Sequence, residues 1–237
     1  LYTDAAAPEA GARGVRVLPV ADPGPPMEVA DRLEDLVGNT PLVRLDRIGH
    51  DLDCHFLAKL ELLNPGGSVK DRPALAMVDA AEREGLLQPG GTIVEPTSGN
   101  TGVGLALVAA RRGYHCVFVM PDKMSPEKMD LLRAYGAEVV VCPTAVAPDH
   151  PDSYYSVAKR IAAERPGGYS PSQSWNPANP AAHERTTGPE LWRPTAGRTT
   201  HFVAGVGPGG TIRGIRTSLK AQDPDIPIIV AYPDGPV

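Results

Sequence analysis

Two rhythms of apolar and polar positions run along this chain, and their order predicts its architecture. Unbroken apolar runs of four or five residues recur, Val117-Phe118-Val119-Met120 being the clearest. Between them lie stretches in which apolar positions return every three or four residues. The first pattern reads as strands covered on both faces and the second as helices, so the alternation predicts a mostly parallel sheet between helical layers. Strands are expected at residues 41–45, 55–60, 92–95, 116–120, 138–142, 200–204 and 226–231. Helices are expected at residues 30–36, 69–84, 103–112, 126–135, 153–164, 183–193 and 211–220, the first of them stopped by Gly38-Asn39. Residues 166–182, dominated by Pro, Asn, Gly and Ser, break the rhythm. Residues 1–26, rich in Ala, Gly and Pro, carry no sustained period and read as a mobile extension with one short strand at 15–20. The folded part is expected to begin near Met27, and the last strand to be left on an open sheet edge.

Composition narrows the classes of function. Of the 237 residues, 23 are basic and 28 acidic, giving a net charge of -5. With no dense Lys/Arg run, this argues against a nucleic-acid partner. The hydrophobic fraction of 42% suffices for a core, yet no apolar run is long enough to span a membrane. Cys54, Cys116 and Cys142 sit among apolar residues without a CxxC pair and are expected to be core thiols, which fits a reducing, cytoplasmic compartment. His50, His55, His115, His150, His183 and His201 are scattered, so no metal site is expected.

Three segments could carry chemistry. In 64–72, Asn64-Pro65-Gly66-Gly67-Ser68-Val69-Lys70-Asp71-Arg72, paired glycines allow close backbone approach and Ser68 can cap a helix opening at Val69. Lys70 would then lie in the first turn, where the helix dipole and burial favour the neutral, nucleophilic amine. The plainer alternative is a solvated Lys70 paired with Asp71. Thr97-Ser98-Gly99-Asn100-Thr101 follows a strand and opens a helix, which makes an anion or carboxylate site, or more plainly a helix cap. Gly205-Val206-Gly207-Pro208-Gly209-Gly210-Thr211 contains GxGxxG, yet the acid that a dinucleotide fold places at the end of the next strand is not clear. A phosphate monoester on residues 207–211 fits as well. A Schiff-base lysine, a carboxylate site and a phosphate cradle are together what pyridoxal phosphate chemistry requires.

Long motifs in order extend this reading: LEDLVGNTPLVRL at 33–45, NPGGSVKDR at 64–72, PTSGNTG at 96–102, MSPEK at 124–128, NPANPAAHERTTGPELW at 176–192 and GGT at 209–211. In these the stretch 33–214 resembles the fold-type II pyridoxal phosphate family of cysteine synthase and cystathionine beta-synthase. MSPEK and residues 141–160 are most similar to the actinobacterial type of cystathionine beta-synthase. The resemblance implies two three-layer α/β/α domains with mostly parallel sheets, as in the tryptophan synthase beta fold. Residues 27–89 and 171–237 would form a large cofactor domain, incomplete at its C-terminal end, and residues 90–170 a small mobile domain. By the same resemblance, Lys70 carries pyridoxal 5'-phosphate and acts as catalytic base or acid, and Asn100 bonds its ring hydroxyl. Gly207, Gly209, Gly210 and Thr211 hold its phosphate, while Thr97, Ser98, Thr101 and Gln173 bind the substrate carboxylate.

The activity implied is replacement of the L-serine hydroxyl by L-homocysteine through an aminoacrylate, in a homodimer or a pairing with a homologue. The alternatives are a cysteine synthase using O-acetylserine and sulfide, or an impaired relative that acts by binding. Departures from the family pattern favour keeping the last open. Pro208 stands in a GTGGT loop and removes a hydroxyl and an N–H from the phosphate site. Ser174 precedes Trp175 where an aromatic is usual, Arg213 replaces a small residue, and 232–236 reads YPDGP. The chain also stops before roughly a third of the family's catalytic core, which reads either as a fragment of a full enzyme or as a short paralogue.

Overall fold

The computed structural model describes residues 29–97 and 99–232, so the strand expected at 15–20 lies outside the described residues. After a 3-10 turn at Leu33–Leu36, β1 (Leu42–Arg44) and β2 (Leu57–Lys59) pair antiparallel, with Leu42 opposite Lys59. A second 3-10 turn, Glu61–Leu63, leads to α1 (Asp71–Arg83). Then come β3 (Thr92–Pro96), α2 (Asn100–Arg112), β4 (His115–Pro121), α3 (Pro126–Ala134), β5 (Glu138–Cys142), α4 (Tyr154–Glu164) and β6 (Gly168–Tyr169). Helices α5 (Ala178–Arg185) and α6 (Thr187–Trp192) precede β7 (Phe202–Gly205), α7 (Gly210–Gln222) and β8 (Ile228–Ala231).

The expected parallel sheet is the four-stranded one, ordered β5-β4-β3-β6, with every pairing parallel. Its strands are apolar on both faces because both are covered. Ile93, Cys116, Phe118 and Met120 face a cluster with Ala74 and Val78 of α1, Leu105 and Val108 of α2, and Leu132 of α3. Val94, Val117, Val119 and Cys142 face Val157 and Ala158 of α4. Each fully buried large side chain here contributes roughly 1.5–3 kcal/mol relative to exposure. A separate core joins Leu191 of α6, Ile215 and Leu219 of α7 and Ile226, with Leu42, Phe202 and Ile228 packed against it. There β7 and β8 pair parallel, Phe202 opposite Ile228.

Four sequence expectations need correction. The helix expected at 30–36 is only the 3-10 turn Leu33–Leu36, cut short by Gly38 and Asn39, which both take positive φ. The helix expected at 183–193 is two helices and begins earlier, at Ala178. Pro177 and Pro180 made that stretch look like a loop, but prolines in a helix's first turn cost no hydrogen bond, since those amides have no intrahelical acceptor. The break follows at Thr186, whose φ of -119° and ψ of -69° distort the helical turn while its hydroxyl donates to Ala182 O at 2.7 Å. Strand β6 was not expected at all; two residues are too few to show a period. Finally, Cys116 and Cys142 are buried, but Cys54 is exposed, carried outward by the polar turn around Asp51 and Asp53.

Candidate active site

Lys70 sits one residue before α1, at its N-cap position, because the chain turns sharply through Gly66 and Gly67 to reach the helix. Gly67 needs φ +78°, where a Cβ would be strained. Asp71 stabilises the turn by accepting the Gly66 amide at 2.5 Å, and the Asn64 side chain accepts the Gly38 amide at 2.8 Å. The sequence placed the helix start at Val69 with Ser68 as its cap. Instead the helix opens at Asp71, and Ser68 Oγ accepts the Lys70 amide at 3.1 Å. Nor does Asp71 pair with Lys70: it turns to the Gly66 amide, and its Oδ1 is buried without a partner. Burial alone lowers the pKa of the Lys70 amine, with no charged neighbour opposing it. Gly104 of α2 lets the two helices meet here, since a Cβ on it would lie 2.9 Å from Ala74 Cβ and 3.1 Å from Lys70 O.

Two residues after Lys70, Arg72 centres a buried ionic cluster. Arg72 donates to both oxygens of Glu61 at 2.7 and 2.8 Å and to both of Glu190 at 2.8 and 2.7 Å. Lys59 adds a 2.7 Å contact to Glu190. Burial would raise the Glu190 carboxyl, but the bonds from Arg72 and Lys59 outweigh it and hold it at about 2. This cluster joins β2, the Glu61–Leu63 turn, the start of α1 and α6.

The second turn runs from β3 into α2. Thr97 and Thr101 are buried, whereas Asn100, the first residue of α2, is exposed. Ser98 lies outside the described residues. Gly99 takes φ +152° and donates its amide to Thr97 Oγ1 at 3.2 Å. Thr101 Oγ1 donates to Gln173 Oε1 at 2.6 Å, which brings together two of the residues expected to bind a carboxylate. Glu95 has no role in the expectations above, yet its side chain holds the Gln173 segment, accepting the Ser172 amide at 2.7 Å and the Gln173 amide at 2.9 Å. Burial drives the Glu95 carboxyl up and these two amides pull it partly back, leaving it at about 7. An acid inside the apolar run Ile93-Val94-Glu95 is the sequence signal that could have marked it.

The third turn opens α7. Gly209 takes φ +85°, and neither it nor Gly207 has any atom within 4 Å of where a Cβ would sit. Gly210 and Gly214, by contrast, lie against Asn179 and Pro180 of α5. The small residues therefore serve two purposes, an open cradle at one end and a close helix crossing at the other. His183 of α5 was set aside as scattered, but it is fully buried beside this cradle, its Nε2 3.2 Å from Thr211 Oγ1 and its Nδ1 2.9 Å from Thr187 Oγ1. Burial, then the nearby Arg72 and Lys70 cations, lower it to about 4, so the ring is neutral and each nitrogen can bond one threonine hydroxyl. His183 and Thr187, four residues apart, were the sequence clue.

The structure thus holds a partly buried Lys70 amine, a hydrogen-bonded Thr101–Gln173 pair and an open glycine turn at the start of α7, with His183 bonded to Thr211 of that turn and near the Lys70 charge. The family model described as "Pyridoxal-phosphate dependent enzyme" matches residues 33–237. This chain belongs to the pyridoxal-phosphate dependent enzyme family. Cystathionine beta-synthase of Apis mellifera is 48% identical over 203 residues, 85% of this chain and 40% of that protein. Cysteine synthase of Staphylococcus aureus (strain N315) is 49% identical over 206 residues, 86% of this chain and 65% of that protein. The chain therefore spans less than two thirds of the length of either relative. Among solved structures, O-ureido-L-serine synthase matches with a TM-score of 0.81 and 42% identity, over 87% of this chain and 64% of that one. A hydrogen sulfide-producing enzyme from Fusobacterium nucleatum matches with a TM-score of 0.82 and 37% identity, over 87% and 68%. These likenesses bear out the expected fold, two α/β/α-layered domains with mostly parallel sheets of fold type II.

The site's own residues fit pyridoxal phosphate. The first-turn amides of α7 have no helical acceptors, the space at Gly207 and Gly209 is open, and the Lys70 amine is partly buried with no anion paired to it among the described residues. Pro208 subtracts one N–H from the cradle. Among the described residues no helix is long and apolar enough to cross a membrane.

Proposed function

We propose that this chain carries out a beta-replacement as a cystathionine beta-synthase, exchanging the hydroxyl of L-serine for the thiol of L-homocysteine. The observation that carries the reading is Lys70, a partly buried amine whose pKa burial alone lowers, and so poised to be nucleophilic. Lys70, Asn100, Gly207, Gly209, Gly210 and Thr211 would hold pyridoxal phosphate, which when bound supplies a sink for the electrons released at the substrate's Cα. Thr97, Ser98, Thr101 and Gln173 would bind the substrate carboxylate and aim the Cα–H bond at Lys70. Lys70 Nζ takes that proton, and its lowered pKa suits both accepting it and returning one. Residues 90–170, which contain the parallel sheet, would close over the carboxylate and exclude water, against a larger unit of 27–89 and 171–237. MSPEK at 124–128 and the 141–160 segment support homocysteine as the acceptor.

Cysteine synthase is the second reading, favoured by the 49% identity to the staphylococcal enzymes. Both readings place the protein in the cytoplasm as a homodimer or paired with a homologue. The test supplies pyridoxal phosphate and then serine with homocysteine, or O-acetylserine with sulfide, and identifies products by mass. Cystathionine from the first pair is expected. Cysteine alone would transfer the protein to the second reading, and no product from either would leave a binding role for a protein weakened at Pro208.

A further inference from the structure

We propose that Glu95 is the positioning residue of the substrate-carboxylate site, holding the Ser172-Gln173 turn so that the Gln173 side chain reaches Thr101. The inference rests on the reading of Thr97, Thr101 and Gln173 as carboxylate binders and adds the group that sets their geometry.

Glu95 is 1% exposed and ends the buried part of β3. A carboxylate in such a place is costly unless both oxygens are satisfied. Here each oxygen takes one of two consecutive amides, Ser172 at 2.7 Å and Gln173 at 2.9 Å. To present both amides the chain puts Ser172 at φ +54°, a left-handed conformation that favours glycine. The same clamp governs Gln173 from three sides. Its amide is held by Glu95 of β3, its carbonyl accepts Asn179 Nδ2 of α5 at 2.9 Å, and its side chain accepts Thr101 of α2 at 2.6 Å. Glu95 precedes the 97–101 turn and Thr101 ends it, so one clamp ties Gln173 to the turn whose residues it must work with.

Only an ionised carboxylate offers two acceptors and no donor. A glutamine, or the protonated acid, would point a hydrogen at one of the two amides. The titratable group that feels the Glu95 charge is the Tyr169 phenol of β6, and Ser170 adds a hydroxyl bond; no cation contributes to holding the charge. Burial therefore leaves the carboxyl at about 7, and the clamp is expected to loosen as pH falls through that value.

The test compares Glu95→Gln and Glu95→Asp with the parent, all loaded with pyridoxal phosphate. It reads the serine dissociation constant by absorption, amide exchange of the 165–176 segment, and retention of the cofactor. Glu95→Gln should weaken serine about tenfold or more, the loss of a charge-assisted bond with an amide left facing a donor. Exchange at 172–173 should accelerate while cofactor retention stays within about twofold. KM for serine should rise more than kcat falls. Glu95→Asp should fall between, and Ser172→Gly added to Glu95→Gln should regain part of the loss, since glycine takes the turn's φ without strain. Unchanged serine affinity in Glu95→Gln, with weakening in Thr101→Ala and Gln173→Ala, overturns the proposal alone. Unchanged affinity in those two variants overturns the carboxylate-site reading and the proposal with it. Should Glu95→Gln not fold, Glu95→Asp decides: serine affinity and exchange at 172–173 equal to the parent's overturn the proposal, and weaker serine with faster exchange supports it.

Discussion

Replacing Arg72 with methionine would remove the centre of the buried cluster and leave Glu61 and Glu190 facing each other. In the native protein Arg72 is 3% exposed and makes four bonds of 2.7–2.8 Å to these carboxylates, with longer ones to Thr186 at 3.1 Å and Thr40 at 3.2 Å. Methionine keeps much of the volume but none of the donors. Removing one side of a buried ion pair costs about 3–5 kcal/mol, because the surviving charge is stranded. A second route gives a similar figure. Against the bonds from Arg72 and Lys59, burial fails to raise Glu190, whose carboxyl falls from 4.5 to about 2, worth at most about 3 kcal/mol. A protein of this size should lose roughly 6–12 °C in Tm for about 3 kcal/mol. The sign of the pH dependence follows from linkage. A lowered carboxyl contributes stability above its unfolded value of 4.5, and that contribution is lost as pH falls through the folded value of about 2. The gap between parent and Arg72→Met should therefore be full at pH 7 and smaller by roughly 40% at pH 3.5. Urea unfolding at the two pH values measures it. Adding Glu190→Gln to Arg72→Met should recover part of the loss by removing a stranded charge. A gap under about 1 kcal/mol at pH 7, or one equal at both pH values, would refute the reasoning.

Lys70→Ala should abolish the visible absorption that added pyridoxal phosphate acquires on the protein, together with turnover; turnover retained by that variant would remove Lys70 from the chemistry. Gly104→Ala places a Cβ 2.9 Å from Ala74 Cβ and 3.1 Å from Lys70 O. Overpacking of about 1–3 kcal/mol should outweigh the helix-propensity gain of about 1 kcal/mol, and cofactor affinity should fall as Lys70 is displaced; a net gain in Tm with unchanged affinity would show that the helices part freely. Glu95 has the opposite linkage to Glu190: its folded carboxyl, raised to about 7, stabilises below 4.5 and loses that contribution as pH rises through 7. Parent stability should thus decline from pH 5 to pH 8 by up to about 3 kcal/mol from this group, a slope that Glu95→Gln should lack. Equal slopes in the two proteins would mean that Glu95 titrates as an ordinary carboxyl.

The layered core was legible because its signals are local. Strand β5, Glu138–Cys142, falls where its apolar run predicts it, and α4 begins after Ser153, whose Oγ accepts the Ser156 amide at 3.1 Å. The residues proposed to bind stood out for the same reason: Lys70, Thr101 and the 207–211 glycines lie in turns whose small and polar residues are contiguous in the chain. The residues that hold them were not. Glu95 finds Ser172 across 77 positions, and Arg72 finds Glu190 across 118. No short-range pattern encodes such partners: the apolar run before Glu95 marks the acid as buried, yet nothing near it in sequence points to Ser172. The difference has a physical basis. A group that must meet a ligand needs open space and free donors, which glycines and turn residues advertise locally. A group that must hold another group still works best buried and fully bonded, and both conditions come into being only when distant segments pack. Glu95 shows the consequence most clearly. An apolar residue there would suit β3 better at neutral pH, yet it would release the turn that carries Gln173, so the acid's position is explained by the site and not by the sheet.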